Sequence, residues 1–263
     1  MAKQERAART RETLVRSAAE VFAEEGFVTA SIATISKRAG VSAGGLHFHF
    51  ESKAALAEAV EDRAVEALRR ITVGRPRPRP RPHDGPAAAG AAAVAGAGGA
   101  GGAAGVAGAA GNWLQVLVDS THELMALLAE DIVVRAGFGL CADASRGSGV
   151  DLRRQWQLWV DEVLRSAARE GALAEGVSAR DAASAVVAST VGLEVLGAGE
   201  RDWVSRQTLT RFWTLMLPRL AAREVLGDLV AEGTGGSGEP GGTSGRVARG
   251  AVTGGGTGAG AGR

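Results

Sequence analysis

Apolar side chains recur at helical spacing through two stretches of this chain. Between residues 9 and 25, Leu14, Ala18, Val21 and Phe22 fall at i, i+4, i+7 and i+8, one face of a helix. Gly26 predicts a stop, because a left-handed residue there carries no steric penalty for glycine. Ser31 is placed to cap a short helix over 32–38, with Ile32, Ile35 and Ala39 inward. Gly40 and Val41 predict a tight turn. Ser42 caps a third helix through about Phe48, Phe50 packs, and Ser52 caps a fourth helix from Lys53 to about Ile71.

Helical periodicity returns at residue 112. Segments 113–131, 132–142, 151–170, 179–197 and 203–222 each carry an apolar stripe: Leu152, Trp156, Trp159, Val160, Val163 and Leu164 in the third, small residues in the fourth, and Trp203, Leu209, Phe212, Trp213 and Leu217 in the last. Ser178 and Asp181 resemble a capping box at the start of the fourth. No segment has strand character, so the predicted fold is all-α, in two helical blocks.

Composition sets the boundaries. Alternating Arg and Pro from Arg75 to Pro82 excludes helix and favours a stiff extended spacer or an auxiliary nucleic-acid contact. Residues 87–111 contain Gly, Ala and Val alone. The expected organisation is therefore a first block over 1–73, an exposed insertion over 74–111, a second block over 112–226, and a disordered Gly-rich tail over 227–263.

With 30 basic and 29 acidic side chains the net charge is +1, which excludes a bulk polycation but leaves room for a local basic face. One cysteine excludes an internal disulfide and a Cys-rich metal centre. The amino end has no apolar signal-peptide core, and the Gly/Ala tract lacks Leu, Ile and Phe, so no membrane association is expected and a cytoplasmic setting fits.

The stretch from Ser31 to Phe50 carries the chemistry. Two short helices joined by a glycine turn make a helix-turn-helix, whose second helix can lie in a DNA major groove. Ser42, Ala43 and Gly44 stand at its leading end, where a hydroxyl, backbone N–H groups and a methyl suit phosphate, base acceptors and thymine. Ser31 stands at the start of the preceding helix. His47 and His49 flank the far end, and Lys53 begins the next helix, within reach of a phosphate. Lys3, Arg6, Arg9, Arg11 and Arg16 outnumber Glu5 and Glu12 in the first sixteen residues, as a backbone-binding arm would. Two histidines without acidic or cysteine partners are weak metal ligands, so no metal is expected.

The string S-I-A-T-I-S-K-R-A-G-V-S, followed by G-L-H-F-H-F-E-S-K-A-A-L, resembles the TetR family of bacterial repressors over residues 9–60. The opening M-A-K-Q-E-R-A, the F-H-F-E-S-K run, Arg135-Ala-Gly137 and Trp156-Gln-Leu-Trp159-Val-Asp161 are similar to the γ-butyrolactone autoregulator receptors within it. The chain departs from the family pattern at His47, usually a tyrosine, and at Ala43, often basic.

The resemblance implies a homodimeric repressor on a palindromic operator, released by a small-molecule effector, with the second block as the ligand-binding and dimerisation domain. The last two long helices would form the dimer interface. The resemblance also implies a pocket tryptophan, aligned with Trp159, with Trp156 on an adjacent face and Trp113 at a pocket mouth. Periodicity alone does not separate pocket from core for these rings. The implied effector is a γ-butyrolactone; the alternative is an antibiotic or biosynthetic intermediate, with control of secondary metabolism or efflux. No enzyme activity or cofactor is expected: Asp119, Ser120 and His122 on one helix do not build a triad, and Gly96-Ala-Gly98-Gly-Ala-Gly101 follows no strand. Cys141 reads as a small buried hydrophobe.

Overall fold

The computed structural model describes residues 2–73, 113–141, 143 and 150–236. The insertion expected over 74–111 thus lies outside the described residues, and so does most of the tail. Among the described residues, ten α-helices follow one another: α1 (Ala2–Thr29), α2 (Ile32–Ala39), α3 (Ala43–His49), α4 (Lys53–Val73), α5 (Trp113–Glu130), α6 (Ile132–Cys141), α7 (Leu152–Arg169), α8 (Ala179–Gly197), α9 (Arg206–Leu220) and α10 (Arg223–Leu226). A short 3-10 turn, Arg201–Val204, separates α8 from α9, so the stripe expected over 203–222 begins one element later than its periodicity suggests.

The local signals act as expected in the first block. Gly26 interrupts α1 with φ of 76°. Ser31 Oγ accepts the Thr34 N–H at 3.0 Å, and Ser42 Oγ accepts the Gly45 N–H at 3.1 Å. Each bond satisfies one of the orphan donors at a helix start, worth about 1 kcal/mol. Gly40 ends α2 at φ 66°, ψ 27°, the left-handed conformation that turns the chain into α3. Leu14, Ala18, Val21, Ile35, Leu46 and Phe50 close over one another in a first core.

A second core fills the space between α5, α7, α8 and α9, with Leu117, Leu124, Trp156, Val160, Leu164, Val186 and Trp213 buried in it. Trp156 donates to Thr190 Oγ1 at 2.9 Å and Trp213 to Thr121 Oγ1 at 2.8 Å, which removes the cost of burying two indole N–H groups.

Two helices belong to both cores. The first part of α4 puts Leu56, Ala57 and Val60 into the first, and its last turns put Ala64, Leu68 and Ile71 into the second. In α6, Ala136 and Leu140 join the first core while Val134 and Phe138 join the second. The α4–α6 crossing is close because Gly137 has no side chain: a Cβ there would lie 2.5 Å from Ala64 Cβ.

One boundary needs correction. The packed chain does not end at 226. Residues 227–236 run back over α5 as a strap: Gln115 bonds the backbone N–H and carbonyl of Val230, His122 Nε2 lies 2.9 Å from Ala231 O, and Asp119 accepts both the N–H and the hydroxyl of Thr234. Arg206 of α9 donates to Glu232 O at 2.7 Å. Backbone groups do most of this work, so the Gly-rich composition conceals it. Gly233 suits that position, with φ of 75° and with His122 Cδ2 only 3.1 Å from where a Cβ would lie.

Candidate DNA interface and interior pocket

The outward surface of the helix-turn-helix is built by exclusion. Leu46 is buried against Ile35 in the first core, so helical spacing turns Ala43, Gly44, His47 and Phe48 out to solvent. Ser31 and Ser42 are exposed at the two helix starts; the Ser42 hydroxyl keeps its hydrogen for a partner, and the Ser31 hydroxyl also bonds Thr34 Oγ1 at 2.8 Å. His49 is half-buried and meets Phe48 edge-on, ring centroids 5.2 Å apart. Of the residues expected on DNA, Ser31, Ser42, Ala43, Gly44 and His47 therefore lie on exposed surface, and His49 lies at its border.

Lys53 departs from expectation. Its ammonium turns inward and donates to Phe27 O at 2.7 Å, Val28 O at 3.1 Å and Ala30 O at 2.8 Å, and it stands 4.6 Å from the Phe27 ring centroid. All three donors of the ammonium are thereby engaged at the carbonyl-rich end of α1. Lys53 locks α4 to α1 rather than standing ready for a phosphate. The residue that sequence reasoning passed over is Phe48, 83% exposed between two histidines. Its position two residues after an inward leucine was the available signal.

In the second block the three expected tryptophans part company. Trp156 is buried and lines a small hollow of about 10 Å3 with Leu124, Leu128, Phe138, Arg153 and Glu194, among others. That volume is on the scale of one water molecule. Arg153 grips Glu194 with two bonds, Nε to Oε2 at 2.9 Å and a second nitrogen to Oε1 at 3.0 Å, and this contact raises the guanidinium pKa above its ordinary value. Trp159 stacks on Trp156 at 5.0 Å and 25°, outside the cavity lining, and donates its N–H to Thr72 O at 3.1 Å. Thr72 stands at the end of α4. The indole pair therefore runs from the cavity wall to the helix that carries the first block. Trp113 is half-buried at the start of α5 and donates to Glu170 at 3.1 Å, away from that cavity.

Larger hollows are open clefts: about 350 Å3 between α7 and α8, and about 210 Å3 between the end of α1 and α6, beside Arg135. Cys141 donates its thiol to Val150 O at 2.7 Å, and burial pushes its pKa up, which suits a packed thiol and not a nucleophile. Among the described residues, no helix is long and apolar enough to cross a membrane.

Residues 14–60 match the bacterial regulatory proteins of the tetR family. The chain is 26% identical over 237 residues to the A-factor receptor protein of Streptomyces griseus, an alignment covering 89% of this chain and 71% of that relative. Its fold is that of a crystal structure of a γ-butyrolactone receptor (ArpA-like protein), at 20% identity and a TM-score of 0.62, covering 86% of this chain and 95% of the other. CprB of Streptomyces coelicolor, in complex with its biological operator sequence, is alike at 22% identity and a TM-score of 0.61, covering 85% and 94%. The match to the tetR family of bacterial regulatory proteins thus falls on the helix-turn-helix block, from α1 to the first part of α4.

Proposed function

We propose that the chain is a dimeric transcriptional repressor that holds a palindromic operator and releases it when a small molecule, a γ-butyrolactone, opens the interior between α5, α6, α7 and α8. The observation that carries the reading is the helix-turn-helix itself, with α3 packed on one side through Leu46 and bare on the other. Two copies would set two such helices in successive major grooves, roughly 34 Å apart. Exposed apolar side chains on α8 and α9, Val195, Leu196 and Leu215, support pairing through those helices. Ser31, Ser42, Ala43, Gly44, His47 and His49 are the proposed DNA contacts.

The hollow beside Trp156 is too small for any acyl lactone, so a ligand has to part the helices that line it. Trp156 is the ring it meets first, and Trp159 transmits the displacement to Thr72 and α4. To move the population from 1:99 to 99:1, the effector must prefer the released state by about 10⁴-fold, roughly 5.5 kcal/mol. A second reading, an antibiotic or biosynthetic intermediate as effector, is favoured by the Arg153–Glu194 pair in the lining, which suits a ligand with more polar groups than a lactone.

The test is a gel shift on DNA upstream of the chain's own gene, followed by titration with a γ-butyrolactone and with candidate antibiotics. Retardation reversed by lactone supports the first reading, and reversal by antibiotics alone supports the second. No retardation on any flanking promoter refutes DNA binding.

A further inference from the structure

Phe48 has no role in holding the first block together. It is 83% exposed and outside the first core, although its neighbours Leu46 and Phe50 are buried in it. The ring adds nothing to the core and is free to meet a partner, and its position says which. The exposed face of α3 consists of Ala43, Gly44, His47 and Phe48, and this is the face that the helix-turn-helix presents outward.

That face lacks the side chains that read guanine or adenine by paired hydrogen bonds: it holds no Arg, Lys, Asn or Gln. It offers instead a methyl group, a bare backbone and an aromatic ring. Gly44 lies one turn before Phe48, and a Cβ there would have open space around it, so no side chain stands between the ring and a surface facing α3. In the major groove the apolar feature available to such a face is the thymine 5-methyl group.

Resting on the DNA-binding reading above, we infer that Phe48 is a specificity-determining residue that packs its ring on thymine methyl groups in each operator half-site. The protein would then select its operator by thymine position more than by guanine.

The experiment begins with the full-length chain selecting duplexes from a random-sequence pool. The enriched palindrome is resynthesised with deoxyuridine in place of single thymidines, which removes one methyl and leaves base pairing intact. For the parent protein, affinity is expected to fall about threefold to fivefold at the thymines that Phe48 covers, the scale of one apolar group uncovered. Phe48→Ala is expected to bind the thymidine operator more weakly and to bind the thymidine and deoxyuridine duplexes equally, with an unchanged thermal midpoint because the side chain is exposed. Phe48→Leu should keep part of the discrimination. An enriched palindrome whose deoxyuridine sensitivity survives Phe48→Ala would overturn the assignment while leaving DNA binding in place. A pool that yields no enriched duplex would instead overturn the DNA-binding reading, and the role of Phe48 with it.

Discussion

Substituting Gly137 by alanine tests the joint between the two blocks. The new methyl would sit 2.5 Å from Ala64 Cβ, where ordinary contact begins at 3.4 Å. Both atoms are fixed to helical backbone, so α4 and α6 have to part by roughly 1 Å, an overpacking that costs about 1–3 kcal/mol. Alanine is the better helix former by about 1 kcal/mol, so the net destabilisation is up to about 2 kcal/mol. Ala64→Gly alone loses about 1 kcal/mol of helix propensity. In the double variant Ala64→Gly/Gly137→Ala the crossing again holds one methyl, on the other helix. Its stability is expected to return close to that of the parent, with a favourable coupling of about 1–3 kcal/mol between the two sites. Urea unfolding of the parent, both single variants and the double variant gives that coupling directly. If the single effects add to within about 0.5 kcal/mol, the close approach of α4 to α6 is not what Gly137 provides.

Lys53→Met should destabilise the protein in the absence of DNA, by on the order of 2 kcal/mol, since it strips three charge-assisted bonds from the end of α1; unchanged unfolding with a flatter salt dependence of DNA binding would return Lys53 to a phosphate. Trp159→Phe keeps the ring but removes its bond to Thr72 O. Losing about 1 kcal/mol there should change the effector concentration for half-release by about fivefold while direct effector binding to free protein changes little, as anisotropy of a labelled operator would read; equal release curves would exclude the indole pair as a link. Burial pushes the His122 pKa below 6.5, against the opposing hydrogen bond to Ala231. The folded state thus resists protonation, so His122 contributes stability above pH 6.5 that is lost as pH falls from 6.5 through the lowered value. Unfolding midpoints between pH 7 and 5 should fall less steeply for His122→Gln than for the parent; identical slopes would remove His122 from the account.

The helix-turn-helix was legible because its signals are local. Ser31, Gly40 and Ser42 each act within four residues, and period-3.6 burial of Leu14, Ala18, Val21 and Phe22 needs no knowledge of what lies opposite. The less legible features depend on partners distant in sequence. Lys53 reaches carbonyls 23 to 26 residues away, and a flexible ammonium can as readily point outward. Trp156 and Trp159 are three positions apart on one helix, about 60° apart around its axis, so both fit the same stripe and their division between cavity and α4 is invisible to periodicity. The strap over α5 is held by main-chain groups, by Asp119 and His122, and by Leu229 and Ala231 packed on the second core, and so short an apolar run in a Gly-rich stretch gives no helical period to read.

Because α4 and α6 each contribute side chains to both cores, the protein has no seam along which it can be divided. A fragment ending at residue 73 would leave Ala64, Leu68 and Ile71 uncovered and would lose Ala136 and Leu140 from its own interior. Melting is therefore expected as a single event, and damage far down the second block should lower the temperature at which the recognition helix loses its shape.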